Sequence, residues 1–180
     1  ALRSLLISDI LIRFAEQIPY AFVVVWCIKY NGITATRFGL LTAIEMITAV
    51  LVYIPVAWLA DRSTKKPFVV ITFINFTLFP LIILFAHSFW MMVVAFIIRG
   101  LKEFGEPTRK ALIMDLAPEG KKAGMFGLYY LIRDVIVSVA AFGGAFLWEI
   151  SPQINFLMAF ACGLAGTIYF WIFGGDLKSN

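Results

Sequence analysis

Apolar residues run through this chain in six blocks, separated by short polar connectors. The blocks cover residues 2–30, 37–60, 67–86, 89–116, 123–148 and 155–173. A helix needs about 20 mostly apolar residues to cross a bilayer, so each block is predicted to span one. The connectors carry turn chemistry: Asn31-Gly32, residues 61–66, His87-Ser88, Pro118-Glu119-Gly120 and Ser151-Pro152. No linker or low-complexity tract divides them. The expectation is an all-α membrane protein, one six-helix bundle over residues 1–180.

Polar residues inside the blocks fall at helical spacing. In the first block Asp9, Arg13, Glu16, Gln17 and Tyr20 form one stripe, and Arg13 can pair with Glu16. That stripe is either a polar seam against another helix or the lining of a cavity. Pro19 lies within the block and favours a kink. Glu45 is the lone acid of the second block. No base lies within helical reach of it, so its partner must come from another helix. In the fourth block Arg99, Lys102, Glu103, Glu106, Arg109 and Lys110 share an arc of about 120°. Glu103 can pair with Arg99, and Glu106 with Lys102 or Lys110, one turn away. Four of these charges would cost on the order of 10 kcal/mol at the centre of an isolated span, whereas the ten preceding residues return about 3–6 kcal/mol. That helix requires partner helices, a watery cavity, or both. The fifth block carries Arg133-Asp134, with Tyr130 and Ser138 one turn either side. The third and sixth blocks are nearly bare and read as outward-facing.

Composition reinforces this picture: 62% of residues are hydrophobic, above the 45–50% typical of soluble domains. The first residue, Ala1, is not Met, so a segment of a longer protein is expected. A cleavable signal peptide is not expected, because Asp9, Arg13 and Glu16 interrupt the first apolar run. Cys27 and Cys162 lie in apolar runs and offer neither a disulfide framework nor metal spacing. No cofactor or metal site is expected. The net charge of +4 is split among loops, which fits membrane topology rather than nucleic-acid binding. With the N-terminus in the cytoplasm, Arg3, Arg62, Lys65, Lys66, Arg109, Lys110, Lys121, Lys122 and Lys178 lie at or near the inner side. Only Lys29 and Arg37 then lie outside, and both termini are cytoplasmic. Blocks one and four are the most polar, two and five carry one or two charges, and three and six almost none. A three-plus-three inverted repeat around a midplane site has this logic. No nucleophile–base set, HExxH or phosphate-binding glycine loop points to an enzyme.

The loop Ala57-Trp-Leu-Ala-Asp-Arg-Ser-Thr-Lys-Lys66 resembles the Gly-x-Leu-Ala-Asp-Arg-x-Gly-Arg-Lys loop of the major facilitator superfamily. Leu59, Asp61, Arg62, Lys65 and Lys66 match, while Ala57 and Thr64 replace two glycines. Residues 107–115, 118–122 and 126–130 are similar to that family's fourth or tenth helix, the loop after it and the next helix. Gly143-Gly144 aligns with the end of the drug antiporters' Gly-Pro-x-x-Gly-Gly, but Val139-Ala140 replaces Gly-Pro. The resemblance is to the C-terminal six-helix half of a bacterial transporter in the inner (plasma) membrane. It implies a cavity lined by the first, second, fourth and fifth spans, and a cytoplasmic gate at Asp61, Arg62, Lys65 and Lys66. It also implies a missing N-terminal half or a second copy as partner.

The functional expectation is a secondary active transporter working by alternating access. Its cargo would be a small organic solute or drug, and its coupling ion the proton. Glu45, Glu103 and Asp134 are the candidate proton carriers. Arg99, Lys102 and Arg133 are candidate charge partners or anion-binding groups. Arg13, Glu16 and Glu106 complete the candidate cavity set. The alternative is a non-transporting scaffold, assembly factor or sensor that uses the same fold with its polar stripes paired and dry.

Overall fold

In the computed structural model, which describes residues 2–175, the chain is entirely helical apart from its connectors. Ala1 and Lys178 lie outside the described residues. The first helix, α1 (Leu2–Tyr20), continues through a short turn at Val23–Val25 and a π-helical turn at Trp26–Tyr30. The two parts are bent by 42°. Pro19 explains the break: it has no N–H for the helix ladder, and Phe22 N–H bonds the Pro19 carbonyl instead of continuing the i→i−4 series.

The other helices begin where their caps dictate. Thr34 opens α2 (Ala35–Ala60) by accepting from Arg37 N–H, and Ser88 opens α4 (Phe89–Leu101) by accepting from Met91 N–H. Between them, α3 (Lys66–Phe85) has Pro67 in its first turn. The expected fourth span is not one regular helix. A 3₁₀ turn at Lys102–Gly105 separates α4 from α5 (Glu106–Leu116). Pro107 removes one ladder donor just after it, and Gly105 N–H donates to the Thr72 hydroxyl on α3. A Cβ at Gly105 would strike the Phe68 backbone and that same hydroxyl. The last helices are α6 (Lys122–Ile150) and α7 (Pro152–Phe173), with Ser151 capping the latter.

Among the described residues four helices, α2, α3, α6 and α7, are each long and apolar enough to cross a membrane, and the bent α1 pair, taken as one span, makes a fifth. The 13 residues of α4 and the 11 of α5 are each too short to do so alone.

Packing centres on α1, which lies against α7 and α6, while α3 packs on α7 and α4, and α2 packs on α4. One apolar cluster includes Trp26, Leu41, Phe79, Ile83, Phe96 and Phe156, a second includes Leu5, Ile12, Phe73, Leu112, Tyr129 and Phe170, and a small third joins Ile18, Ala140 and Ala159. Close backbone approach makes this possible. A Cβ at Gly144 of α6 would run into the Ile18 carbonyl of α1.

Burial corrects one expectation. The third and sixth blocks, both read as outward-facing, are more buried than the second and fifth: 56% of the most apolar window is covered in α3 and 33% in α7, against 11% for α2 and 17% for α6. The Thr77 hydroxyl of α3 lies 3.0 Å from that of Thr167, and Gly163 of α7 abuts Thr77. Lack of charge signals burial among apolar neighbours as readily as exposure to lipid. Conversely, α2 exposes Met46, Val50 and Ile54, and α6 exposes Val135, Val139, Phe142 and Phe146, each set along one face.

Candidate functional site

The polar stripe of α1 meets α5 and α6 at a charge cluster with a fully buried centre. Arg109 of α5 is the largest fully buried side chain, 1% exposed, and Asp9 is 0% exposed. Arg109 Nη1 donates to Asp9 Oδ2 at 2.6 Å, and Nη2 donates to Glu106 Oε2 at 2.9 Å. Tyr129 Oη donates to the same Asp9 oxygen at 2.8 Å, and Arg109 Nη2 also reaches the Tyr130 hydroxyl at 3.1 Å. Arg13 donates to Glu16 at 3.0 Å and to Glu106 at 3.1 Å, with its Nε 3.6 Å from Asp9. Arg133 lies 3.5 Å from Asp9 and holds Asp134 at 2.8 Å. Asp9 therefore faces three guanidinium groups, drawn from three helices.

Burial of so much charge is tolerable because every ion has a counter-ion. Four acids (Asp9, Glu16, Glu106, Asp134) face four bases (Arg13, Lys102, Arg109, Arg133) in one connected set. The set grades from dry to open, since the Asp134 side chain is 61% exposed.

Beside this cluster, Ala15, Glu16, Pro19, Tyr20 and Val23 of the first span line a cavity with Asn75, Phe76 and Phe79 of α3, Arg99 and Lys102. It measures ≈ 330 Å³ including its open mouth, but only ≈ 20 Å³ admits the centre of a water molecule. About 10–15 Å³ of such space holds one water. Glu16 belongs to both cluster and cavity: its carboxylate takes Arg13 at 3.0 Å and Lys102 at 3.8 Å.

Several pairings differ from those expected along the fourth block. Arg99 reaches Glu45 of α2 at 3.2 Å, not Glu103, so the lone acid of the second block does find its partner on another helix. Glu106 pairs with Arg13 and Arg109 rather than Lys102 or Lys110. The 3₁₀ turn shifts the angular register between residues before and after 102–105, which separates Glu106 from Lys102, while within α5 the buried Arg109 takes Glu106 in place of the exposed Lys110. Glu103 is half-buried, sits in a groove with Ala49, Val50, Tyr53 and Ile54, and makes no ion pair among the described residues.

The α2–α3 loop forms a separate charged region. Lys65 reaches Asp115 at the end of α5 at 3.0 Å, Arg62 stacks over Trp58 at 4.0 Å, and Lys66 Nζ donates to the Trp171 carbonyl at 3.0 Å. Asp61 is exposed at the C-terminus of α2. The sequence pattern does not single out Asp9 and Arg109, the centre of the cluster: Asp9 is one member of a stripe, and Arg109 has the place of an ordinary basic residue near a span end.

The major facilitator superfamily profile matches residues 5–178. The chain belongs to the major facilitator superfamily. Members of this family are integral membrane transporters, not enzymes, and this chain is accordingly an integral membrane protein. It is similar to the quinolone resistance protein NorA of Staphylococcus aureus, 27% identical over 154 residues, covering 85% of this chain and 40% of that protein. It is also similar to the uncharacterized MFS-type transporter YqjV of Bacillus subtilis, 23% identical over 167 residues, covering 92% of this chain and 41% of that one. The chain thus spans about two fifths of the length of these bacterial relatives.

Proposed function

We propose that this chain is a six-helix half of a proton-coupled secondary active transporter that moves a small organic solute or drug by alternating access. In this reading the bent α1 and the α4–α5 pair each count as one span. The six then form a three-plus-three inverted repeat, with both termini in the cytoplasm. One observation carries the proposal: a cavity between the first span, α3 and the residues Arg99 and Lys102 shares Glu16 and Lys102 with a charge-balanced cluster whose centre is buried. Such polar seams are costly in lipid and mark ion and substrate paths.

Glu103 is the favoured proton carrier over Glu45 and Asp134. Both of those sit against an arginine, whereas a proton can bind Glu103 without breaking an ion pair. The exposed apolar faces of α2 and α6 would receive the other half, or a second copy. The Lys65–Asp115 contact would hold one state of the cytoplasmic gate, with Asp61, Arg62 and Lys66 around it.

The test uses the natural full-length protein in everted vesicles with an imposed proton gradient. Glu103→Gln should abolish coupled transport while the amount of protein in the membrane stays near normal. Unchanged coupled transport in that variant would remove Glu103 from the mechanism. A second reading, a non-transporting scaffold or sensor, is favoured by the tight pairing around Asp9. Single cysteines at Glu16 and Lys102 separate the two: labelling by water-soluble thiol reagents supports a transport cavity, and inert positions support the scaffold.

A further inference from the structure

Two cations face the cavity with donors to spare. Arg99 spends its Nε on Glu45 at 3.2 Å, and its terminal nitrogens make no hydrogen bond among the described residues. Its guanidinium is held instead by ring faces: Phe79 at 5.1 Å, Phe96 at 5.6 Å and Tyr20 at 5.7 Å. Lys102 lies 5.4 Å above Phe76 and only 3.8 Å from Glu16, an oxygen that Arg13 already occupies at 3.0 Å. Three ammonium donors and two guanidinium nitrogens thus meet few free acceptors. Glu45 balances the charge of Arg99, and Glu16 shares its charge between Arg13 and Lys102, so what the cavity wall has in surplus is hydrogen-bond donors rather than net charge. Its remaining surface is aromatic: Tyr20, Phe76 and Phe79.

We infer that this cavity is a binding site for aromatic organic anions, with a carboxylate taken by Lys102 and Arg99 and the ring held among Tyr20, Phe76 and Phe79. The inference rests on the transport reading for how the cavity opens, since its present free space suits water and not a ligand. A few convergent polar groups on an apolar wall are what small-molecule sites share. The unmet donors set the class. An amine would face Arg99, Lys102 and a Glu16 carboxylate already engaged by Arg13 and Lys102, whereas a carboxylate accepts charge-assisted hydrogen bonds from both cations.

The test is equilibrium binding of 2-naphthoate to the full-length protein in lipid nanodiscs, read by naphthyl fluorescence. 2-Naphthylmethylamine and 2-naphthamide serve as the matched cationic and neutral probes. Naphthoate should bind saturably and at least about tenfold more tightly than either. Lys102→Gln should weaken it about 10- to 100-fold, the scale of one charged hydrogen bond. Lys102→Arg should recover part of that loss, and a wild-type thermal midpoint for both variants shows that the fold is intact. Preference for the amine, equal binding of the three probes, absence of binding, or an unchanged Lys102→Gln affinity overturns the inference. Vesicle uptake of naphthoate is measured separately. Lys102-dependent binding without proton-driven movement leaves the site standing and sinks the transport reading alone.

Discussion

Asp9→Asn is the most informative single perturbation of this molecule. The substitution keeps shape and removes one negative charge from between Arg109 at 2.6 Å, Arg133 at 3.5 Å and Arg13 at 3.6 Å. Four acids against four bases become three against four, in a place where Arg109 is 1% exposed and water cannot compensate. Removing one partner of a buried pair costs about 3–5 kcal/mol. Arg109→Gln makes the opposite error, leaving Asp9 and Glu106 in excess. Combining the two restores neutrality, so their effects should not add. The coupling energy should reach about 2 kcal/mol, within the range for residues sharing a network. The assay is equilibrium unfolding of the full-length protein in mixed detergent micelles, with a double-mutant cycle over the two positions. An Asp9→Asn cost below about 1 kcal/mol, or effects additive within about 0.5 kcal/mol, would refute the reasoning that this cluster is held by mutual neutralisation.

Three further outcomes are expected. Gly144→Val places a side chain against the Ile18 backbone and should cost about 1–3 kcal/mol, while Gly143→Val, with nothing within 4 Å, should leave the unfolding midpoint unchanged. Asn155→Leu removes the amide that donates to the Ile18 carbonyl at 3.1 Å and the Gly144 carbonyl at 2.8 Å. Because Phe22 N–H bonds Pro19 and not Ile18, the Ile18 carbonyl loses its partner, and the same unfolding assay should register about 1–3 kcal/mol. Single cysteines at Ser63 and Ser88, in an otherwise cysteine-free protein, should react with a membrane-impermeant reagent from opposite sides: Ser63 from the cytoplasm and Ser88 from outside. Labelling of both from one side would overturn the proposed topology.

Much of this architecture was legible in the chain because membrane helices are coded by local rules. Apolar block length and connector chemistry placed α2, α3, α6 and α7 to within a few residues. Helical periodicity identified the stripe from Asp9 to Tyr20, and the absence of a base near Glu45 required a partner from elsewhere. The 3₁₀ turn at Lys102–Gly105 was not legible. It arises from Gly105 seated against Phe68 and Thr72, a contact between residues more than thirty positions apart. Once that turn exists, pairings assumed for a continuous helix no longer hold. The burial of α3 was equally hidden, since an uncharged span looks the same whether lipid or protein surrounds it. Sequence alone therefore determined the class of protein, the positions of its long helices and which charges must be shielded. Only the tertiary structure decided how they are shielded: that Arg109 closes on Asp9, that Arg99 turns to Glu45, and that Lys102 faces a cavity. Helix propensity and hydropathy act between near neighbours in the chain, whereas a buried ion finds its counter-ion wherever the packed helices bring one.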